Sequence, residues 1–406
     1  MEDHAYDTIV IGAGIIGSWT GYHLAKSGRR TLVLEQFPLP HTRGSSHAAT
    51  RNFFVTGYSE PVNGYRISDF KLLDDSFRMW HELAAETQQE LILKTGRLTF
   101  MYESDPELER WSAAMRENGV AHGVQTVFIG FETQKRFVFQ ILTSDQIQAR
   151  HPDTNLHLGN RAIWEPNCHV LMAHKCVTIV QQQFVKLGGK LLDGTKVVRL
   201  KPESDYVTLV CHKNGQTDDV VFTAGTLVIA AGSWASTLTP ELKHLLKPVA
   251  TAHMFWRTLE HGAYILQSGF PVIRDKEFYA GPSLEYTDLV KQAAIDWLRL
   301  IAFRDLTDIS SLIQRVSGFI KERLPFLDHR QPAIVEKCIY TYTSDDNPIL
   351  DHHPMHPNVV IAAGFSGGGF RSSPATGKYL AALAGASDAD ELNYKKEWYS
   401  LARFKQ

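Results

Sequence analysis

Residues 12–17 read Gly12-Ala13-Gly14-Ile15-Ile16-Gly17, directly after the β-branched run Tyr6–Ile11 and leading into the helix-compatible stretch Ile15–Lys26. Each glycine in that setting has a steric task. Gly12 permits a tight turn, Gly14 lets an anionic group approach the backbone, and Gly17 lets the helix pack closely on the strand. Thr31–Leu34 follows as a second apolar strand and ends at Glu35. A strand, a helix and a strand over about thirty residues form one parallel unit with a right-handed crossover, which calls for a doubly wound α/β sheet. The helix N-terminus offers N–H groups and a positive dipole end to a diphosphate. Glu35 is positioned to accept hydrogen bonds from a ribose diol. The turn from Gly12 to Gly17, with Ala13, Ile15 and Ile16 included, is therefore expected to bind a dinucleotide. The motif alone leaves FAD and NAD open, and its place near the N-terminus points to FAD.

The rest of the chain has to supply a second unit. With 406 residues, 44% hydrophobic and 11% aromatic, it is long enough for two domains and a large core. Lys and Arg number 42 against 44 Asp and Glu, a formal charge of -2, so no bulk field attracts nucleic acid or an anionic membrane, and small molecules are the expected partners. Cys168, Cys176, Cys211 and Cys338 form no CxxC pair, which argues against a metal site or a disulfide framework and for a reducing, intracellular setting. The start, MEDHAYDTIVIG, has no basic region before an apolar signal core. No window approaches the roughly 18 apolar residues of a membrane helix. The end, Arg403-Phe404-Lys405-Gln406, is not of the Ser-Lys-Leu type, which leaves peroxisome and cytoplasm both open.

Leu73, Phe77, Trp80 and Leu83 fall at helical spacing within Asp69–Leu83. Strand-like stretches occur at Arg97–Tyr102, Lys190–Leu192, Tyr206–Cys211, Thr226–Ile229, Phe278–Tyr279, Ala333–Tyr342 and Val359–Ala362, and Gln292–Leu300 reads as helix-like. No repeat or long linker divides the chain. The expected architecture is α/β plus α+β, with a Rossmann-like unit (1–95, 155–232 and 328–406) interleaved with a catalytic unit on a mixed antiparallel sheet (96–154 and 233–327).

Five blocks carry a resemblance. They are His41-Thr42-Arg43-Gly44-Ser45-Ser46-His47-Ala48-Ala49-Thr50-Arg51 after Glu35-Gln36-Phe37, then Trp164-Glu165-Pro166-Asn167, Ala231-Gly232-Ser233-Trp234, Glu336-Lys337-Cys338-Ile339-Tyr340-Thr341 and Gly364-Phe365-Ser366-Gly367-Gly368-Gly369-Phe370-Arg371. Together they make the chain similar to the sarcosine oxidase family, nearest its peroxisomal sarcosine and pipecolate oxidases, within the wider D-amino-acid oxidase group. The resemblance implies a monomeric FAD-dependent oxidase acting on a secondary or N-methylated amino acid and O2, yielding an imine and H2O2, in a peroxisome. It implies a thioether from Cys338 to the flavin. A strand puts Cys338, Tyr340 and Tyr342 on one face, so the thiol and the phenol can address the same ring edge. The residues expected to hold FAD are the Gly12–Gly17 turn, Glu35, Gln36, His41, Ser45, Ser46, Thr50, Arg51, Val197, Cys338, Gly364, Gly367, Gly368, Gly369, Phe370 and Arg371.

Amine oxidation by a flavin leaves the hard step to the cofactor, and the protein positions the substrate and tunes charge. The resemblance puts Arg51 and His47 beside the flavin ring as positive groups. It makes Lys291, in Phe278-Tyr279-Ala280-Gly281-Pro282-Ser283-Leu284-Glu285-Tyr286-Thr287-Asp288-Leu289-Val290-Lys291, the cation that stabilises charge developing as O2 is reduced. Arg371 stands where the family usually has a lysine, and its planar fork suits a substrate carboxylate. Tyr279 and Tyr340 are expected to line the same pocket.

The chain also departs from the family. Phe54 replaces a second arginine, Ile295 replaces a histidine after Lys291, and Gly368 replaces a histidine in the glycine loop. Loss of a cationic donor at Phe54 is expected to weaken small amino-acid carboxylates and to favour a larger or less polar substrate. Two alternatives stay open: a flavin dehydrogenase with another electron acceptor, and a member that keeps FAD without turnover.

Overall fold

The computed structural model describes residues 5–54, 69–102, 121–122, 138–156, 160–216, 218–275, 277–294 and 308–404. In its first sheet the strands run in the order Lys190–Leu192, Thr31–Leu34, Ala5–Ile11, Val220–Ile229, Val207–Lys213 and Thr195–Pro202. His356–Ala363 also pairs with Val220–Ile229, and Ile349–His353 pairs with His356–Ala363. Ala5–Ile11 is parallel to both Thr31–Leu34 and Val220–Ile229. A helix, Ile15–Lys26, connects the first two strands, so the strand-turn-helix-strand unit read from the glycine motif is present.

The central strands are covered on both sides, which is why they read as unbroken apolar runs. Val10, Val33, Val228 and Val360 pack on one side with Trp19 and Leu380 from two helices, whereas Ile9, Leu32, Leu227 and Val359 pack on the other.

The second sheet is mixed and longer. Its order is Ile334–Tyr342, Lys247–Arg257, Leu289–Ala294, Phe278–Gly281, Val272–Arg274, Arg97–Tyr102, Asn160–Glu165, Val138–Leu142 and Ala121–His122. Side chains alternate across it with a period of two. Leu98, Ile273, Ala280, Val290 and Met254 face a core shared with Leu312, Val316 and Ile320 of the helix Ser310–Arg323. The registers Arg97↔Glu165, Arg274↔Tyr279, Gly281↔Lys291, Phe255↔Lys291 and Thr251↔Cys338 then put Glu165, Arg97, Arg274, Tyr279, Lys291, His253, Cys338 and Tyr340 on the opposite face. A third small sheet, Thr50–Phe53, His169–Met172 and Ile92–Lys94, holds the segment that carries Arg51.

Two local expectations meet the structure differently. The helix expected over Asp69–Leu83 forms as Phe70–Thr87, with the Asp69 carboxylate accepting from the Leu72 N–H as its N-cap. The helix-like reading of Gln292–Leu300 is corrected at its start. Gln292, Ala293 and Ala294 complete the strand Leu289–Ala294, because pairing with strands on both sides overrides a local helical preference. Residues 295–300, with Ile295, lie outside the described residues.

Strands of the two sheets alternate along the chain. Asn160–Glu165 and Ile334–Tyr342, inside the spans assigned above to the Rossmann-like unit, join the second sheet. The division into units with boundaries at residues 95, 154, 232 and 327 is a proposal. Among the described residues no helix is long and apolar enough to cross a membrane.

Candidate functional site

The glycine turn is sterically obligatory. Gly12 has φ of +103°, and a Cβ on it would lie 2.4 Å from the Ala230 carbonyl oxygen, while a Cβ on Gly17 would lie 1.9 Å from the Gly12 carbonyl oxygen. Gly14 starts the helix Ile15–Lys26 without a side-chain cap of its own. The Ile15 N–H donates instead to Ser46 Oγ at 2.9 Å. Glu35 accepts from the Ala13 N–H and the Phe37 N–H, both at 3.0 Å, and its carboxylate lies 3.4 Å from His41 Nε2. Burial alone would raise the Glu35 pKa, but the bonds from His41, Ala13 and Phe37 outweigh it and hold the group below the ordinary carboxylate value.

A cavity of about 1100 Å³ extends from this turn. Ala13, Ile15, Ile16, Gln36, His41 and Ser45 are among its lining residues. Val197, Gly364, Gly367, Gly369, Phe370 and Tyr340 line it too, with Arg51 and His47. A turn that admits no Cβ at Gly12 or Gly17, a helix N-terminus at the cavity wall and an ionised buried acceptor together fit the adenine-dinucleotide part of FAD. Gly368 is the N-cap of the helix Gly369–Leu383, next to this wall. All four cysteines are buried. Cys338 is fully buried on the strand whose Val335, Glu336, Lys337, Tyr340 and Thr341 form the wall, and the Ile339 carbonyl beside it accepts from Ser45 Oγ.

A second, small cavity is lined by Thr50, Arg51, Tyr279 and Lys291, so Arg51 borders both. Lys291 Nζ donates to the Thr50 carbonyl at 3.0 Å, to Thr50 Oγ1 at 3.1 Å and to Glu285 Oε1 at 3.2 Å. Thr50 Oγ1 in turn donates to Glu285. Burial lowers the Lys291 pKa, Glu285 opposes that shift, and Arg51 adds to it.

Arg51 donates to the carbonyls of Thr50, Ser45 and His47, so it braces the turn as well as carrying charge to the cavity wall. His47 Nδ1 contacts the Gly44 carbonyl oxygen of the same turn. Burial keeps both tyrosines protonated, Tyr279 well above its ordinary value and Tyr340 at about 12.

Sequence reasoning missed two members of this group. Glu285 lay inside a recognised block without a role. His253 carried no signal, because it alternates with Ala252 and Met254 like any core strand residue. It is fully buried, and burial, followed by Lys291, Arg51 and His47, keeps it neutral.

The region of Phe54 differs from expectation. The Arg371 Nη1 atom donates to the Phe54 carbonyl at 3.2 Å, and Arg371 Cζ lies 4.2 Å from the Phe54 ring centroid. Arg97 Cζ lies 4.1 Å and Arg274 Cζ 5.8 Å from the same ring. Arg97 Nε donates to Glu165 Oε2 at 2.6 Å, and its Nη2 contacts the same oxygen. The phenyl ring that stands where a cationic donor was expected is thus approached by cations from distant parts of the chain. Gly368 leaves room for Arg371, whose Nη2 lies 3.7 Å from the place of a Cβ there.

Comparison with known proteins bears on this geometry. Residues 7–383 match the family described as "FAD dependent oxidoreductase". The chain is 33% identical over 394 residues to peroxisomal sarcosine oxidase of Homo sapiens, covering 93% of this chain and 92% of that one. It is 30% identical over 399 residues to monomeric sarcosine oxidase of Bacillus sp. (strain B-0618), covering 95% and 93%. Among solved structures, glycine oxidase from Geobacillus kaustophilus superposes with a TM-score of 0.76 at 20% identity, covering 98% of this chain and 99% of that chain, a likeness of fold.

Proposed function

The chain belongs to the FAD dependent oxidoreductase family, and from that premise we propose that it is an oxidase of a secondary or N-methylated amino acid, with O2 as electron acceptor. The amine loses two electrons and two protons to give an imine, which water hydrolyses, and O2 takes them up as H2O2. Bound FAD supplies the redox step, accepting the equivalent of a hydride and returning electrons to O2.

The observation that carries this reading is the register of the second sheet, which aligns Tyr279, Lys291, Cys338 and Tyr340 on one face. On this proposal the Gly12–Gly17 turn, Glu35 and Ser46 hold the dinucleotide, and Gly364–Phe370 backs the flavin. Cys338 forms the covalent link. Arg371 receives the substrate carboxylate through its fork, with Tyr279 and Tyr340 as neutral walls. Lys291, held charged by Glu285, stabilises charge as O2 is reduced, and Arg51 and His47 add positive potential. The sarcosine oxidase relatives support the substrate class, and their names support a monomer and a peroxisomal setting.

The test is an anaerobic screen of N-methyl and cyclic secondary amino acids for bleaching of the flavin, followed by admission of air. Bleaching with rapid return of colour and one equivalent of H2O2 is expected. Bleaching without reoxidation points to a dehydrogenase, and no bleaching by any amine refutes the oxidase.

A further inference from the structure

Gly281 has no backbone reason to be glycine. It closes the strand Phe278–Gly281 and pairs with Lys291 across the sheet, and its φ lies outside the left-handed region that favours glycine. Close packing does not demand it either: among the described residues, no heavy atom lies within 4 Å of the place a Cβ would take. A glycine in a strand leaves one side-chain position of the sheet empty and marks where something else approaches the backbone. The empty position here lies beside Lys291, on the face that carries Tyr279 two residues earlier.

That position opens into the smaller cavity. Its volume is about 30 Å³, where one water requires roughly 10–15 Å³, so it admits a group of one or two heavy atoms. Gly281, Tyr279 and Lys291 border it, Val170, Pro282 and Leu284 give it apolar wall, and Thr50 and Asn52 form a polar side. The lysine on that wall is already engaged. Its ammonium donates to the Thr50 carbonyl, to Thr50 Oγ1 and to Glu285, and the Thr50 hydroxyl donates in turn to Glu285. A small alkyl group entering the cavity therefore strands no donor of Lys291, whereas a water would find the three protons of that ammonium taken.

We propose that the pocket over Gly281 receives the substituent on the α-carbon of the substrate, so that an N-alkylated amino acid with a small alkyl group at that carbon is preferred over one without. The inference rests on the oxidase reading for the word substrate, and on the cavity alone for a small apolar group held beside Tyr279. The carbon that gives up hydride has to meet the flavin in the large cavity, which leaves the branch at the α-carbon for the sheet side. Tyr279, a wall of the substrate site on the proposed reading, borders the small cavity as well, and Arg51 borders both cavities. Gly281 then sets the size of the branch that fits.

Methoxyacetate and 2-methoxypropionate carry an ether oxygen in place of the amine, so neither is oxidised, and they differ only by the α-methyl group. Calorimetric titration of the FAD-loaded protein is expected to give the better-bound enantiomer of 2-methoxypropionate about fourfold tighter binding than methoxyacetate, the gain from burying one methyl group. Gly281→Ala puts its Cβ into open space, so it should reduce the preference while the midpoint of thermal unfolding stays level or rises. Gly281→Val, which fills the cavity, is expected to weaken 2-methoxypropionate on the order of tenfold and to leave methoxyacetate as before. In the anaerobic screen, N-methylalanine is expected to bleach the flavin at lower concentration than N-methylglycine in the parent protein and at higher concentration in Gly281→Val. Equal affinities of the two ethers in the parent protein, a preference that survives Gly281→Val, or a Gly281→Ala protein that melts lower each overturns the proposal. A methyl preference lost in Gly281→Val, combined with no bleaching by any amine, refutes the oxidase reading instead and supports the pocket.

Discussion

Lys291 Nζ lies 3.2 Å from Glu285 Oε1, with side-chain exposures of 6% and 2%, and Thr50 bonds to both. The pair ties the one buried lysine of the described sheet face to the segment that carries Arg51. Its electrostatic consequence is specific. Burial disfavours the lysine charge and Glu285 opposes that effect, which on the proposed reading favours a cation where charge develops during O2 reduction.

Replacing Lys291 by Met is expected to slow reoxidation by O2 on the order of a hundredfold while anaerobic reduction changes far less, as removal of one preorganised charge predicts. Stopped-flow measurement of the two half-reactions checks this. Because Met also strands the Glu285 carboxylate, the Lys291→Met, Glu285→Gln double variant serves as the control for stability. Equal losses in both half-reactions move Lys291 out of the oxygen role.

Glu285→Gln keeps an acceptor for Lys291 and removes the charge that raises its pKa. The lysine pKa, already lowered by burial and Arg51, then falls further. On the proposed role the protonated lysine is the active form, so the O2 rate is expected to decline with rising pH at a lower pH in the variant than in the parent protein. Superimposable pH profiles of reoxidation contradict this.

Gly17→Ala is expected to abolish flavin retention, because its Cβ would meet the Gly12 carbonyl oxygen at 1.9 Å and neither backbone can yield without moving the turn. The protein should be colourless after purification, with a midpoint of thermal unfolding below that of the parent. A yellow Gly17→Ala protein with unchanged melting rules out the steric argument.

What was legible in the sequence has a physical pattern. Gly12, Gly14, Gly17 and Glu35 act within one strand-helix-strand unit, so their spacing already encodes their geometry. Arg97 and Arg274 are far apart in the chain and meet only because Val272–Arg274 pairs in parallel with Arg97–Tyr102. No local period announces that. Phe54 read as the loss of a charge for the same reason, since what surrounds a side chain is set by register and not by its neighbours in sequence. Gln292–Ala294 misled in the opposite sense: residues that favour a helix in isolation took a strand because ladders on both sides were available.

The amine must be neutral to deliver the equivalent of a hydride, so kcat/KM is expected to rise with pH through the ionisation of the free substrate. Tyr279 and Tyr340 remain protonated across that range, because burial pushes both upward, Tyr340 to about 12. They therefore add no step of their own below it. A profile that is flat through the substrate's ionisation counts against amine chemistry at this site.

Cys338 combines full burial with a place between two structural anchors: its strand pairs with Lys247–Arg257 on one side, and the neighbouring Ile339 carbonyl accepts from Ser45 of the turn that lines the cavity. An inert cysteine in such a position would behave as a small apolar side chain, and Cys338→Ser would cost only packing. A thioether changes the expectation. Precipitation of the parent protein with acid should then leave yellow colour in the pellet, whereas the same treatment of Cys338→Ser should release it to the supernatant from a protein that still folds. Colour released from the parent protein as well shows that FAD is held by contacts alone and makes Cys338 a core residue.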